Sequence, residues 1–158
     1  MDIEYARVGF TKISQEAVKK HRRFFEQRVR RPFIKYLAYT NQFEGILKAD
    51  EIETAKTGYL PEDLDVHHIF PLSGSYSEQV NYFPNLSVLH KRFHCYINKN
   101  VFKPQLMKLN EMPEDSTIEI LLPQFKPVDG DRILAVRENR IWTPSKQRLV
   151  LPRLESYR

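Results

Sequence analysis

The sequence predicts an α+β protein with N-terminal helices, a central strand–loop–strand–helix unit and a small C-terminal antiparallel β-sheet. Three observations support this prediction. Apolar residues at helical spacing follow Ser14, two short apolar runs flank a polar and aromatic loop in the middle of the chain, and short β-like runs appear from about residue 117. We expect one domain of 158 residues. Its parts are a helical region (1–64), the central unit (65–103) and a β-rich region (104–158).

The N-terminal helix has Ser14 as its predicted N-cap and Val18, Phe25 and Val29 as a buried stripe. Pro32 is expected to end or kink it. Its other face, called here the basic face, carries Lys19, Lys20, Arg22, Arg23, Arg28, Arg30 and Arg31. Such a face is often only solvated. With a net charge of +5, we favour phosphate contacts.

The C-terminal region contains four short β-like runs, which predict the antiparallel sheet: 117–122, 132–136, 140–142 and 148–151. Hydrophobic residues make up 41% of the chain, which indicates a globular protein. The single cysteine excludes an intramolecular disulfide framework, and Cys95 is expected to be a buried, inert thiol. No apolar run approaches a membrane span and no signal-peptide core is visible, so we expect a cytoplasmic protein.

Four of the five histidines lie in the central unit: His67, His68, His90 and His94. Imidazole is the commonest metal ligand and titrates near neutrality. His67 and His68 lie in a short extended run that Pro71 stops. Neighbouring side chains of a strand point to opposite faces, so the two cannot both ligate one ion. One can bind a metal while the other faces a reacting group.

The second apolar run, 86–89, is suited to pairing with the first as a hairpin. A helix follows it, with Phe93, Ile97 and Val101 at helical spacing, and Pro104 is expected to end this helix. On that helix His94 and Asn98 share one face, one turn apart. The central unit therefore predicts a compact metal-binding cup, with ligands from the first strand and the helix.

This segment resembles the HNH, or ββα-metal, nuclease motif of colicin-type bacterial DNase toxins, homing endonucleases and group II intron endonuclease domains. The family opens with an acidic residue, any residue, His or Asp, His and an aliphatic residue, as in the run 65–69. A middle Asn followed by Leu or Ile corresponds to Asn85-Leu86. The late ligand, nine residues after that Asn, corresponds to His94, and the further ligand of the colicin-type members to Asn98. The resemblance covers about a fifth of the chain and implies a ββα-metal (HNH) core.

The resemblance implies a role for each matching residue. His67 and His94 correspond to metal ligands, with Asn98 as a weaker third. His68 corresponds to the general base that takes a proton from water. Asn85 corresponds to the residue that ties the loop to the hairpin and orients that base, and Asp65 to an acidic residue that steers an arginine or a ligand. The expected nucleic-acid contacts are Arg22, Arg23, Lys91, Arg92 and Lys99.

The implied reaction is hydrolysis of a DNA phosphodiester around one divalent metal ion, which can be Mg, Mn, Ni or Zn. Double-stranded DNA is the expected partner. One alternative is a non-cleaving nucleic-acid-binding module that keeps the metal cup. Another is the toxic module of an interbacterial effector, delivered to a target cell and paired with an immunity protein. His90 is expected to be structural or to contact phosphate, and His21 to be solvated or at the edge of the core.

Overall fold

The computed structural model describes residues 3–138 and has a mixed α+β architecture. In order, its strands are β1 (Tyr5–Thr11), β2 (Leu64–His68), β3 (Leu86–His90) and β4 (Thr117–Pro123). Its α-helices are α1 (Gln15–Phe24), α2 (Arg30–Tyr39), α3 (Ala49–Ala55), α4 (Lys91–Ile97), α5 (Lys103–Leu106) and α6 (Gly130–Arg137). Within residues 3–138, no helix is both long and apolar enough to cross a membrane.

The N-terminal helix begins as the sequence predicts. The side chain of Ser14 accepts a hydrogen bond from the amide of Ala17 at 3.1 Å, and Phe25 and Val29 are buried. Pro32, however, does not end the helix. A π-helical turn (Phe25–Val29) joins α1 to α2, so Pro32 falls in the first turn of α2, where a missing backbone N–H costs little.

The same arrangement is found after α4. A second π-helical turn (Asn98–Phe102) leads into α5, and Pro104 lies in the first turn of α5. The expectation that Pro104 ends the helix is therefore wrong, because the π turn places this proline where its missing N–H is tolerated. A 3₁₀ turn (Met107–Glu111) follows.

The predicted strand at 117–122 is present as β4, but its partner comes from the other end of the chain. β4 pairs with β1 in an antiparallel register that runs from Tyr5 opposite Pro123 to Thr11 opposite Thr117. The run 132–136, predicted as a strand, lies in α6. Ile133 and Val136 are buried one turn apart, so this short apolar run follows the helical period. The predicted runs 140–142 and 148–151 lie outside the described residues.

The central unit has the strand–loop–strand–helix order that the sequence predicts. β2 and β3 pair antiparallel, with His68 opposite Leu86, and α4 begins directly after β3. Two short 3₁₀ helices, Glu78–Asn81 and Phe83–Asn85, lie in the connecting loop. β3 is completely buried because it also bonds to the segment before α6: Val88 donates to the carbonyl of Pro127 and accepts from the amide of Asp129.

The β2–β3 sheet lies between two hydrophobic clusters. Leu64 and Val66 of β2 pack in the cluster that contains Phe25 and α2, while Leu89 of β3 packs in the cluster that contains Phe93 and β4. Alternate residues of β2 therefore face different halves of the molecule. This alternation decides where each histidine of β2 points.

Candidate metal and catalytic site

His67 and His68 face opposite sides of β2. His67 lies against His94 of α4, with their ring centroids 5.0 Å apart. His68 lies against Phe25, with ring centroids 4.5 Å apart. The imidazoles of these two adjacent residues therefore have different neighbours, as the alternation of side chains along a strand predicts.

The His67 imidazole is buried without a partner for its Nε2 atom. Its side chain is surrounded by His94, Phe102 and Phe125, and the residue is only 3% exposed. No hydrogen bond within the described part of the chain reaches Nε2. Burial, together with the neighbouring His94 and His68, holds the pKa of His67 well below its usual value. A neutral imidazole can bind a metal through a ring nitrogen that carries its lone pair, and the unpartnered Nε2 is the candidate nitrogen.

The His94 imidazole is held from the other side by Asp65. Its Nδ1 atom lies 3.2 Å from Oδ2 of Asp65, whose Oδ1 lies 3.7 Å from a guanidinium nitrogen of Arg30. Burial raises the pKa of Asp65, but the hydrogen bond and charge of His94 and the charge of Arg30 outweigh it, so the pKa is lowered overall. Metal-binding histidines are typically held through their second nitrogen by such a carboxylate. Asp65 therefore contacts both Arg30 and His94, and its expected role in steering an arginine or a ligand stays a prediction.

The spacing of the two rings fits a shared ion. With zinc–nitrogen bonds of about 2.0–2.1 Å, two imidazoles on one ion have ring centroids roughly 4.5–5.2 Å apart. Among residues 3–138, no group of three or more His, Cys, Asp and Glu side chains is arranged to hold a metal. The candidates for strong ligands are thus two, His67 and His94, and Asn98 is the predicted third. Asn98 is exposed at the start of the second π turn. Its backbone amide donates to the carbonyls of His94 and Cys95, and among residues 3–138 its side chain forms no hydrogen bond with His67 or His94.

His68 is bound by an amide from the connecting loop. Its Nε2 atom lies 2.9 Å from Oδ1 of Asn81. Burial lowers the pKa of His68, the hydrogen bond to Asn81 raises it, and the positive charge of Arg22 lowers it, so that the overall shift is downward. His68 is therefore neutral near pH 7, which is the form that a general base requires.

Asn85 ties the loop to the hairpin through three hydrogen bonds. Its Oδ1 accepts from the amide of Phe70 at 2.8 Å, and its Nδ2 donates to the carbonyls of Phe70 and Val80 at 2.9 and 2.8 Å. The amide that accepts a hydrogen bond from His68 belongs to Asn81 and not to Asn85. The contacts that the resemblance expects from one asparagine are thus made by two, Asn85 to the loop and Asn81 to His68.

The two remaining histidines form hydrogen bonds within the fold, whereas the cysteine is exposed. His90 is the N-cap of α4: its Nδ1 accepts from the amide of Arg92 at 3.1 Å, and its Nε2 lies 3.5 Å from Asp63. His21 is buried and donates from Nε2 to the carbonyl of Ser75 at 2.8 Å. Cys95 is exposed, so the prediction of a buried thiol is wrong. Its neighbours Phe93 and Ile97 take the buried positions of α4 instead.

The five residues expected to contact nucleic acid are all exposed: Arg22, Arg23, Lys91, Arg92 and Lys99. The positive charge of Arg22 helps to lower the pKa of His68, so Arg22 lies within electrostatic range of the candidate base. Arg23 lines a cavity of about 390 Å³ together with Lys20, His21 and Asn81. The exposed basic side chains of α1 and the His68 side of the site therefore adjoin each other.

Comparison with protein-family models, curated proteins and solved structures gives no match. The chemistry of the site is therefore inferred from its own residues. Two of them, Asn81 and Arg30, are absent from the sequence-based site. The only local signal for Asn81 is an amide within the apolar run Val80–Phe83. Arg30 is one of seven cations on the basic face, and only its distance to Asp65 distinguishes it.

Proposed function

We propose that this protein is a metal-dependent endonuclease of the HNH class, which hydrolyses DNA phosphodiester bonds. One observation carries the proposal. The rings of His67 and His94 lie 5.0 Å apart, and Nε2 of His67 is buried with no hydrogen-bond partner among residues 3–138. His68, the next residue of β2, lies on the opposite face with an amide partner. A ligand pair beside a separate neutral base is the arrangement that hydrolysis around one ion requires.

His67, through Nε2, and His94 would hold the ion, and Asn98 is the candidate for a third, weaker position. When bound, a divalent ion supplies positive charge that neutralises the scissile phosphate and stabilises the leaving 3′ oxygen. Imidazole ligands favour transition metals such as Mn, Ni and Zn, while Mg remains possible. A protein donor set this small leaves coordination positions for substrate and water, unlike a closed structural zinc site with four strong ligands.

The chain's own residues then perform the proton transfer. His68 accepts a proton from a water molecule as the water oxygen bonds to phosphorus, and the bond from phosphorus to the 3′ oxygen breaks. The leaving oxygen takes a proton from solvent. Asp65 keeps the His94 ring in place, and Arg22, within electrostatic range of His68, is positioned to neutralise phosphate charge.

The charge of the protein supports DNA as the substrate. The chain carries 25 Lys and Arg against 20 Asp and Glu, and the basic side chains expected to contact phosphate are exposed. Exposed cations bind a phosphate backbone by displacing its condensed counterions, without regard to sequence. The proposal therefore concerns cleavage of duplex DNA and specifies no target sequence.

The test is a plasmid-cleavage assay with the purified chain, first stripped of metal with EDTA and then supplied separately with Mg, Mn, Ni or Zn. We expect nicked and linear products with at least one metal, none with EDTA, and none for His68→Ala. The matched control is Cys95→Ser, an exposed neighbour of His94 that should cleave like the wild type. Binding without cleavage under all four metals would overturn the proposal and favour a non-cleaving module. Toxicity on expression that His68→Ala relieves would identify the toxic module of an effector.

A further inference from the structure

We infer that Asn81 is the positioning residue for the base: its amide holds His68 with a proton on Nε2 and leaves Nδ1 to accept the proton of water. This inference rests on the proposed function for its catalytic meaning. The contact itself spans 13 residues of sequence and falls outside every position that resembles the HNH motif.

The orientation of the Asn81 amide follows from its second partner. Nδ2 of Asn81 donates to the backbone carbonyl of His21 at 3.1 Å. A carbonyl oxygen can only accept, so the amide oxygen must face the other way, toward His68. If the amide were flipped, two oxygens would face each other at this distance.

The amide oxygen in turn decides which imidazole nitrogen carries the proton. Oδ1 of Asn81 accepts at 2.9 Å, so Nε2 of His68 must donate. A neutral imidazole has one N–H, and its lone pair is then on Nδ1. Nδ1 has no hydrogen-bond partner among residues 3–138. It is therefore the nitrogen available to a water molecule.

Two further contacts hold the ring and the amide in this arrangement. Phe25 packs edge-on against the His68 ring, which limits rotation of the imidazole. Asn81 closes a 3₁₀ helix whose N-cap is Ser77, and the neighbouring carbonyl of Val80 accepts from Asn85. The hydrogen bonds of Asn85 within the loop and the hydrogen bond between Asn81 and His68 therefore lie in one short loop segment.

Asn81 acts through His68 and not on the substrate, because it is only 4% exposed. Its amide also joins the loop to α1, since the carbonyl of His21 belongs to the helix that carries Arg22 and Arg23. One buried side chain therefore links the base to the helix that carries the proposed phosphate contacts. Such a link would keep His68 at a fixed position relative to the phosphate while water attacks.

The first test is spectroscopic and needs no activity. In long-range ¹H–¹⁵N spectra of the full chain labelled in histidine, we expect His68 as the Nε2–H tautomer with a hydrogen-bonded, slowly exchanging Nε2–H. The His68→Gln spectrum assigns the signal. Asn81→Leu should abolish that protected proton, whereas Asn81→Asp, which keeps an oxygen toward His68 and in its protonated form can donate to the carbonyl of His21, should retain it. A wild-type His68 protonated on Nδ1, or an unchanged signal in Asn81→Leu, would overturn the inference.

The second test separates positioning from folding. In the plasmid assay, Asn81→Leu should lower kcat roughly 10- to 100-fold, a part of the roughly 10²- to 10⁴-fold that a general base supplies, with KM within about twofold. Asn81→Asp should recover part of kcat. Equal losses in both variants would indicate a purely structural role and contradict the inference. If the wild type cleaves with none of the four metals, the proposed function fails, and the spectra still decide whether Asn81 holds His68.

Discussion

The Nδ1 atom of His94 lies 3.2 Å from Oδ2 of Asp65 and so joins α4 to β2 across 29 residues of sequence. The contact leaves the other ring nitrogen of His94 for a ligand, and Arg30 flanks the same carboxylate at 3.7 Å. The chain of Arg30, Asp65 and His94 therefore sets the orientation of one of the two proposed metal ligands.

Removing the Asp65 carboxylate should weaken metal binding without removing a ligand. We expect Asp65→Asn to lower the affinity for Ni or Zn by about 10- to 100-fold, because a neutral amide is a weaker acceptor for the His94 ring than the charged carboxylate. Isothermal titration calorimetry on EDTA-stripped protein measures this. Asp50→Asn, which changes an exposed carboxylate of α3, is the control and should bind like the wild type. If the wild type, Asp65→Asn and Asp50→Asn bind metal with equal affinity, Asp65 does not contribute to metal binding.

Removing either imidazole ligand should have a larger effect on metal binding. His67→Ala and His94→Ala are each expected to reduce Ni or Zn affinity further than Asp65→Asn does, since a bond to the ion is removed outright. Calorimetry and the plasmid assay should change together. If His94→Ala binds metal with wild-type affinity, His94 is not a ligand. The 5.0 Å separation of the His67 and His94 rings would then reflect packing and not metal binding.

Removing the base should separate cleavage from metal binding. His68→Ala is expected to reduce cleavage by about 10²- to 10⁴-fold while it keeps its metal affinity, because His68 lies on the face of β2 opposite His67. Single-turnover cleavage and calorimetry on the same preparation measure both quantities. Cleavage at the wild-type rate would show that the base is a different residue.

Neutralising Arg22 should change how DNA binding depends on salt. The plot of log affinity against log salt concentration should become less steep by about one for each phosphate that the protein no longer neutralises. Arg22→Gln is expected to show this change, measured with duplex DNA and no added metal. Lys108→Gln, an exposed cation after α5, is the matched control. An identical slope for Arg22→Gln and the wild type would remove α1 from the interface.

The ion pairs of Arg137 should make stability depend on pH. Arg137 donates to both oxygens of Glu51 and of Asp63, and these hydrogen bonds lower the pKa of each carboxyl. The stabilisation is present above the unfolded pKa values and is lost as pH falls through the lowered ones. Arg137→Met should therefore cost about 1–2 kcal/mol at pH 7, because the carboxylates are partly exposed and screened by water.

Urea denaturation at pH 7 and at about pH 3 measures this difference, which should shrink at the lower pH. Lys56→Met, which removes an exposed pair with Glu53, should leave the free energy of unfolding nearly unchanged at both values. A difference that is the same at both pH values would mean that Arg137 stabilises α6 by packing and not by charge.

Local patterns were sufficient for several elements of the fold. Ser14 begins a helix because a hydroxyl that accepts from a nearby amide is a local relation. The runs that form β2 and β3 are predicted from their short length and their apolar and β-branched residues. The same local reasoning failed at 132–136, where a run with four apolar residues fits either period and packing against β3 decided for a helix. It also failed to show that the helices continue past Pro32 and Pro104, because π turns are not visible in a sequence.

The sequence by itself determined the set of histidines, their spacing and the alternation that sends His67 and His68 to opposite faces of one strand. Only the tertiary structure decided which side chains meet them: Asn81 with His68, Asp65 and His67 with His94, and Arg30 with Asp65. The physical reason is that alternation along a strand is a property of the backbone. A hydrogen bond between distant residues depends on how the loop, helix and sheet pack together, and no local pattern encodes that packing.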